Sequence, residues 1–265
     1  MPPEPGLARA GETALPSDSR FRFAWRMPPS GRPDRPLLIA VHGSDRNWLA
    51  CRDAFVPLAD RCDISLLAPL FPEGVSTPGM ADGYKFLREP GVDYVKLLHA
   101  MLAAFAEISP FDSRRLFLFG FSGGAQFAHR YALVEATRLA GLVVAAPGNV
   151  TLVDDTLPWW AGTKDMDRAL GRRLDRAGLG TLPVHLIVGS KDFSEGLVER
   201  GPDDPYYSPH SQLGGATRRE RIASLARSLK SVAGNVSEET VEGAGHDFAP
   251  LAAAAATWLE RMMRD

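Results

Sequence analysis

Continuous apolar runs of strand length recur along the chain and alternate with segments of helical periodicity. Phe21–Arg26 alternates apolar and charged residues, which is typical of a half-exposed strand. Five continuous apolar runs have the composition of strands that are covered on both faces. They are Leu37–Val41, Ile64–Leu70, the run that begins at Leu116, Gly141–Gly148 and the run that begins at Val184. The last predicted strand is Val236–Val241. This alternation predicts an α/β protein with a doubly wound, mostly parallel sheet and helices on both faces.

The helical segments between these runs have an apolar face and a polar face. In Val92–Ile108 the apolar positions recur at spacings of three and four residues. The arginines of Arg218–Leu229 are expected to face water, because a charge run on a helix is usually a solvated face. The other predicted helices are Trp48–Asp60, the segment from the turn at Ser122 to Leu139, Lys164–Arg176, and a terminal helix that starts at Pro250 and points Leu251, Trp258, Leu259 and Met262 inward.

The length of the chain and the regular alternation of predicted strands and helices together predict one domain. The chain has 265 residues, which fits a single α/β domain over residues 21–265. Residues 1–20 are rich in Pro, Gly and Ala without periodicity and are interpreted as a loose tail. Residues 149–180 break the strand–helix rhythm, so they are interpreted either as a lid-like insertion or as a long surface connection.

Composition and charge exclude several classes of partner. The net charge of −2 gives no basic footprint for nucleic acid and no polybasic surface for anionic membrane. No signal peptide or membrane-spanning run is visible, so a cytoplasmic location is expected. Cys51 and Cys62 bracket a predicted helix, and reduced thiols are therefore expected rather than a disulfide.

A short motif at the end of one buried run has the features of a reactive turn. Gly120-Phe121-Ser122-Gly123-Gly124 fits the pattern G-x-S-x-G, with a strand-like run before it and a helical segment after it. A serine in this context is held on a sharp strand-to-helix turn with its hydroxyl above the sheet. Glycines two residues before and two after the serine let the helix approach the strand closely.

Three residues with complementary chemistry lie just past strand ends. Ser122, Asp192 and His246 follow in the order nucleophile, acid, base, and such groups gather at the carboxyl ends of parallel strands. A histidine can accept the serine proton and return it to the leaving group, and an aspartate can fix the histidine tautomer. Asp154 and Asp155, after the preceding strand, are alternative candidates for the acid.

With these residues, the stretch 21–265 resembles an α/β-hydrolase. His42-Gly43-Ser44, the motif at Ser122 and the stretch Tyr84-Lys85-Phe86-Leu87 are similar to poly(3-hydroxybutyrate) depolymerase-like carboxylesterases. The resemblance implies the α/β-hydrolase fold. The backbone N–H groups of Gly123 and Ser44 are the candidate oxyanion donors.

The sequence therefore predicts a serine hydrolase that cleaves small-molecule carboxylic esters through an acyl-enzyme intermediate without a cofactor. Two alternatives remain at this point: a peptidase of the same fold, and a non-catalytic ligand-binding protein.

Residues outside this constellation receive simpler interpretations. Trp159, Trp160, Tyr206 and Tyr207 are candidates for an apolar acyl pocket, although aromatic pairs in loops are as often simple packing. Asp247 is expected to hydrogen-bond its own turn, and His42 to shape the oxyanion loop. The remaining histidines, interpreted as structural or solvated, are His99, His129, His185 and His210. No residues cluster as a metal site, and no phosphate-binding glycine motif follows a strand.

Overall fold

A computed structural model of the chain describes residues 9–193 and 200–264, and a mixed eight-stranded sheet runs through its centre. In chain order the strands are β1 (Ala10–Leu15), β2 (Asp18–Arg26), β3 (Leu37–Val41), β4 (Ser65–Leu70), β5 (Arg88–Glu89), β6 (Val92–Asp93), β7 (Leu116–Phe121), β8 (Leu139–Ala145), β9 (Pro183–Gly189) and β10 (Asn235–Val241). β5 and β6 form a separate small hairpin, and the other eight strands make the main sheet.

The order of the strands in the main sheet is β1-β2-β4-β3-β7-β8-β9-β10. The six strands from β4 to β10 in this order are parallel, while β2 pairs antiparallel with both β1 and β4. The carboxyl ends of β3, β7, β9 and β10 consequently open at one edge, where loops from distant parts of the chain can meet.

Helices cover both faces of this sheet, which confirms the predicted doubly wound architecture. The helices are α1 (Trp48–Ala54), α2 (Val56–Cys62), α3 (Tyr94–Ile108), α4 (Gly123–Glu135), α5 (Met166–Leu170), α6 (Arg176–Leu179), α7 (Arg218–Lys230) and α8 (Phe248–Arg264). One apolar core lies between the sheet and α3, α4 and α7, and the other between the sheet and α1, α2 and α8. Because both faces are buried, the central strands are apolar throughout, as their sequence indicates.

The interpretation of residues 1–20 as a loose tail is wrong where the structure describes them. Residues 10–15 form the edge strand β1, which pairs along β2, and β2 itself begins at Asp18. Gly11 packs against the Trp25 ring of β2, and the hydroxyl of Thr13 accepts a hydrogen bond from the same indole. Pairing with β2 and packing against Trp25 therefore stabilise a strand whose own sequence has only a weak strand pattern. Residues 1–8 lie outside the described part of the chain.

Three predicted helices differ from the structure by more than two residues at one end or are divided in it. Trp48–Asp60 is two helices that meet at Phe55, because Pro57 in the first turn of α2 lacks the N–H that a continuous helix needs. Lys164–Arg176 contains only α5 and the start of α6, and Gly171 ends α5 with a φ of +67°. The helix after Ser122 ends at Glu135, and Leu139 already begins β8.

The segment 149–180 packs closely against the domain. Val150, Trp160, Met166 and Leu170 are buried in it. The fully buried guanidinium of Arg130 in α4 donates a hydrogen bond of 2.8 Å to the Thr151 hydroxyl, which in turn donates to the carbonyl of Trp160. Whether this segment acts as a lid stays a prediction.

Cys51 and Cys62 are both free thiols, as expected. None of the helices in the described part of the chain combines the length and the apolar character that crossing a bilayer requires.

Candidate active site

Ser122 occupies a sharp turn between β7 and α4, as the motif predicts. β7 ends at Phe121, α4 begins at Gly123, and Ser122 between them has φ 54° and ψ −109°. A Cβ at Gly120 would overlap the backbone of Gly124, and a Cβ at Gly124 would overlap the backbone of Val41. Both glycines are therefore needed for the close approach that holds the serine in a left-handed, strained conformation.

His246 lies in the turn after β10 and contacts Ser122. Its Nε2 atom is 2.9 Å from the Ser122 hydroxyl oxygen, so Nε2 can accept the hydroxyl proton. The Phe121 ring stacks on the imidazole with 4.8 Å between ring centroids, which fixes the plane of the ring. Asp247 accepts a hydrogen bond of 2.9 Å from the Gly245 N–H, which confirms the expectation that it bonds its own turn.

Asp192 lies just after β9 and contacts the other side of the imidazole. The Nδ1–H of His246 donates to the Oδ2 atom of Asp192 over 2.9 Å, and the carboxylate is fully buried. The alternative acids are elsewhere. Asp154 accepts hydrogen bonds from the N–H and hydroxyl of Thr156 in its own turn, and Asp155 is exposed. The structure thus brings together Ser122, His246 and Asp192 in one continuous hydrogen-bonded chain.

A fourth residue, Arg218, also contacts this hydrogen-bonded chain, although no motif in the sequence marks it as a site residue. Its Nη1 atom donates to the Oδ1 atom of Asp192 over 3.0 Å, and the exposed fractions of the two side chains are 5% and 0%. Burial acts to raise the pKa of Asp192, but hydrogen bonds and charge from His246 and Arg218 hold it below its usual value. The expectation that the arginines of α7 face water is wrong for Arg218 and Arg221, which are buried.

The spacing Thr217-x-x-Glu220 is a capping box that marks the start of α7 in the sequence. It gives no indication that the first arginine of the helix turns inward, because that depends on where Asp192 lies in the folded chain.

The two candidate oxyanion donors lie beside the serine. Gly123 is the first residue of α4, and the first N–H groups of a helix have no partner within the helix. The side chain of Ser44 is next to it, since a Cβ built on Gly123 would lie 3.0 Å from the Ser44 hydroxyl oxygen. A Cβ built on Gly43, the residue before Ser44, would likewise lie 3.6 Å from the Cβ of Ser122. Gly123 and Ser44, which carry the two candidate N–H donors, thus lie together next to the Ser122 side chain.

His42 holds the loop that carries Ser44, in line with its expected role. Its Nε2 accepts a hydrogen bond of 3.1 Å from the Phe71 N–H, which leaves the proton on Nδ1 to donate to the Gly43 carbonyl over 2.6 Å. Burial lowers the pKa of His42 to about 4, against a smaller opposing effect of the bond to Gly43. A neutral imidazole is thus fixed beneath the loop near neutral pH.

A cleft of about 560 Å³ opens above Ser122 and His246. Phe121, Phe248 and Pro250 contribute apolar walls, while Asp45 and Asp247 place two exposed carboxylates on its rim. No lysine or arginine is among the described residues that line it. The walls of the cleft are therefore apolar, and its rim carries negative charge.

The four predicted pocket aromatics gather in a different cavity. Trp159, Trp160, Tyr206 and Tyr207 line about 390 Å³ together with Phe86, and neither Ser122 nor His246 is among its lining residues. The Trp160 indole N–H donates to the Tyr206 carbonyl over 2.8 Å, and Tyr206 stacks on Phe86 at 4.2 Å. These contacts, with Arg130 lying over the Phe86 and Trp160 rings, hold the aromatics in a cluster of their own.

The other histidines have structural partners. His129 is buried between the Ala125 carbonyl and the Thr151 N–H, and His185 contacts Ser237 and Glu239. His99 contacts the Tyr131 hydroxyl. Within residues 9–193 and 200–264, no group of three or more His, Cys, Asp or Glu residues could hold a metal ion.

The sheet order, the helices on both faces and the turn at Ser122 define the α/β-hydrolase fold. No family model and no curated protein matches the sequence.

Solved structures do match. The chain is similar to a poly(3-hydroxybutyrate) depolymerase from Bordetella parapertussis, with 24% identity, a TM-score of 0.73, and 94% of this chain and 89% of that chain covered. It is also similar to poly(aspartic acid) hydrolase-1 from Sphingomonas sp. KT-1, with 19% identity, a TM-score of 0.75, and coverages of 94% and 97%. A third is the fluorophosphonate-binding serine hydrolase F of Staphylococcus aureus, with 13% identity, a TM-score of 0.60, and coverages of 97% and 100%.

At these identities the likeness establishes the fold. The resemblance to α/β-hydrolases expected from the sequence is confirmed at that level, and a poly(3-hydroxybutyrate) depolymerase is among the structural neighbours.

Proposed function

We propose that the protein is a serine hydrolase that cleaves carboxylic esters through an acyl-enzyme intermediate. The observation that carries the proposal is the hydrogen-bonded chain from Ser122 through His246 to the buried Asp192, with 2.9 Å at each of its two links. The names of structural neighbours, among them a depolymerase of a polyester and a serine hydrolase, are consistent with this chemistry.

In the first half of the reaction Ser122 attacks the ester carbonyl. His246 accepts the hydroxyl proton at Nε2 as the Oγ–C bond forms, because a serine hydroxyl is a weak nucleophile until a base removes its proton. Asp192 accepts the Nδ1–H, which keeps the imidazole in the right tautomer and stabilises the imidazolium. The imidazolium then donates its proton to the leaving alcohol, and an acyl group remains on Ser122.

In the second half a water molecule takes the place of the alcohol. His246 accepts a proton from this water as it attacks the acyl carbon, and then returns a proton to Ser122 as the acid departs. In both halves a negative oxygen develops on the carbonyl, and in this proposal the N–H groups of Gly123 and Ser44 donate hydrogen bonds to it. Removing one such donor typically slows the reaction by about 10²–10³.

The cleft restricts the substrates that suit this site. Its apolar walls favour a small acyl or alcohol group, and the carboxylates of Asp45 and Asp247 repel anionic ones. A polyanion such as poly(aspartic acid) would have to approach against both carboxylates. We therefore propose neutral or cationic esters as the substrate class, and the aromatic cavity around Trp160 is not part of the proposed catalytic site.

Hydrolysis of p-nitrophenyl acetate and butyrate by the wild-type chain and Ser122→Ala tests the proposal. The wild type is expected to turn over both esters, and Ser122→Ala is expected to lose turnover while keeping its circular dichroism spectrum. Ser231→Ala, an exposed serine after α7, is the matched control and should keep full activity. Turnover retained in Ser122→Ala would reject the proposal. Cleavage of p-nitroanilides at a rate equal to that of the esters would point to a peptidase instead.

A further inference from the structure

Besides His246, Arg218 is the one basic side chain among the described residues that hydrogen-bonds the carboxylate of Asp192. The two oxygens of that carboxylate have separate partners: Oδ2 accepts from His246 and Oδ1 accepts from Arg218. The Nε atom of Arg218 is buried and has no hydrogen-bond partner in the described part of the chain. A buried guanidinium with so few partners is costly to the fold unless its charge is compensated. The compensating charge here is that of Asp192.

The backbone around Arg218 fixes where its side chain begins. Thr217 caps α7 and forms a capping box with Glu220, so the helix starts at a defined residue. Gly215, with a φ of +111°, packs directly against Glu220, and a Cβ at this glycine would overlap the Glu220 Cβ. The capping box and the packing of Gly215 therefore fix the first turn of α7, from which the Arg218 side chain extends to Asp192.

We propose that Arg218 is a positioning residue of the catalytic site, which orients Asp192 and limits how strongly that carboxylate attracts a proton onto His246. The proposal rests on the function proposed above. Its physical basis is the charge of a buried carboxylate. With His246 as its sole partner, such a carboxylate would strongly favour the imidazolium form. A protonated His246 cannot accept the Ser122 proton, so kcat/KM would be lower on the acid side of the pH profile.

Arg218 counters this effect because its positive charge lies on the opposite side of the same carboxylate. The carboxylate is shared between two donors, and the imidazole stays available as a base. Other charged residues on the described segments around the imidazole are Lys191 after β9, Arg219 and Glu220 in α7, Asp45 across the cleft, and Glu242 and Asp247 in the turn that carries His246. They are unchanged when Arg218 alone is replaced, so a change in the titration of the imidazole reports on Arg218.

The test compares Arg218→Gln, which removes the charge and keeps a donor, with Arg218→Lys, which keeps the charge. Arg219→Gln is the matched control, because Arg219 is the next residue, exposed, and hydrogen-bonded to the Ser190 carbonyl instead of Asp192. For each variant kcat/KM is measured from pH 5 to 10 on a neutral p-nitrophenyl ester, and thermal unfolding verifies the fold.

In Arg218→Gln the acid limb of the profile is expected to move up by about one pH unit, so that kcat/KM falls about tenfold at pH 5, at the foot of the limb, and recovers as the pH rises. Arg218→Lys and Arg219→Gln are expected to keep the wild-type midpoint. An unmoved limb in folded Arg218→Gln, or an equal shift in Arg219→Gln, would overturn the proposal. If Arg218→Gln does not fold, Arg218→Lys decides the question. An acid limb of the kcat/KM profile that is shifted in Arg218→Lys overturns the proposal, and an unshifted acid limb supports it.

A second readout does not depend on turnover. The pH midpoint of the His246 imidazole, assigned from the spectrum of His246→Asn, is followed by NMR in the wild type and in Arg218→Gln. It is expected to rise in the variant, and an equal midpoint in both proteins would contradict the role of Arg218. If the wild type does not hydrolyse esters, the proposed function fails, while this titration still tests the link between Arg218 and His246.

Discussion

The Nε2 atom of His246 lies 2.9 Å from the hydroxyl oxygen of Ser122, although 124 positions of sequence separate the two residues. The contact exists because β7 and β10 are parallel strands of one sheet, and the turns that follow them open at the same edge. In the proposed function this contact makes the rate of ester hydrolysis depend on the protonation of the imidazole.

We expect kcat/KM for ester hydrolysis to rise as the pH increases from 5 to 8. The reason is that the imidazole must be unprotonated to accept the Ser122 proton, and imidazoles lose their proton in this range. His246→Ala is expected to lose about 10⁴-fold or more in kcat. The control is His210→Gln, a histidine outside the site, which should leave the profile unchanged. A flat profile for the wild type over this range would contradict the assigned base.

Gly120→Ala is expected to destabilise the protein, because the added Cβ would meet the backbone of Gly124 and Ala125. Backbone atoms cannot rotate away, so the helix must shift from the strand at a cost of about 1–3 kcal/mol in the free energy of unfolding. Urea unfolding measures this cost. Gly201→Ala is the matched control, since a Cβ there meets nothing within 4 Å. Equal stability of the two variants would show that the turn is not closely packed.

Stability should fall between pH 6.5 and about pH 4 because of His42. The folded protein holds this imidazole neutral to about pH 4, while the unfolded chain takes up a proton near 6.5. Over this window the unfolded state binds more protons, so the free energy of unfolding decreases as the pH falls, by up to about 3 kcal/mol. His129, whose pKa burial also lowers, acts in the same direction.

The test of this linkage is urea unfolding at several pH values. His42→Gln should be less stable than the wild type at pH 7 but should lose stability less steeply towards pH 4. His210→Gln should keep the wild-type slope. A slope for His42→Gln that equals that of the wild type would show that His42 does not stay neutral in the folded protein.

The carboxylates of Asp45 and Asp247 should make the enzyme discriminate against anionic esters. Between a neutral p-nitrophenyl butyrate and the corresponding hemisuccinate, kcat/KM is expected to favour the neutral ester, and Asp247→Asn should reduce the difference by a few-fold. Added salt should reduce it as well, because both carboxylates are exposed. Glu107→Gln, an exposed carboxylate on α3, is the control. If neither salt nor Asp247→Asn changes the preference for the neutral ester, the charges of Asp45 and Asp247 do not cause that preference.

The sequence was sufficient to predict the central strands and the serine turn. Leu37–Val41 matches β3 residue for residue, because a continuous apolar run bounded by polar residues has few alternatives to a doubly covered strand. The turn at Ser122 was predictable for a similar reason, since glycines at both flanks serve a local steric need. The order of Ser122, Asp192 and His246 at strand ends then placed them at a common edge.

What could not be predicted depends on contacts between distant parts of the chain. β1 has no strong pattern of its own and is stabilised by pairing with β2. Arg218 is one arginine among several on α7, and only the position of Asp192 turns it inward. Trp159 and Trp160 are apolar enough for a substrate pocket, but their loop is tied to Arg130 and Tyr206, away from the cleft over Ser122.

Covalent labelling shows whether Ser122 is an activated nucleophile. The wild-type protein is treated with a fluorophosphonate probe at neutral pH, digested, and mapped by mass spectrometry. We predict one modified peptide with the adduct on Ser122, no adduct in Ser122→Ala, and a much slower reaction in His246→Ala. A wild-type protein that stays unlabelled, or an adduct on a serine other than Ser122, would contradict this prediction.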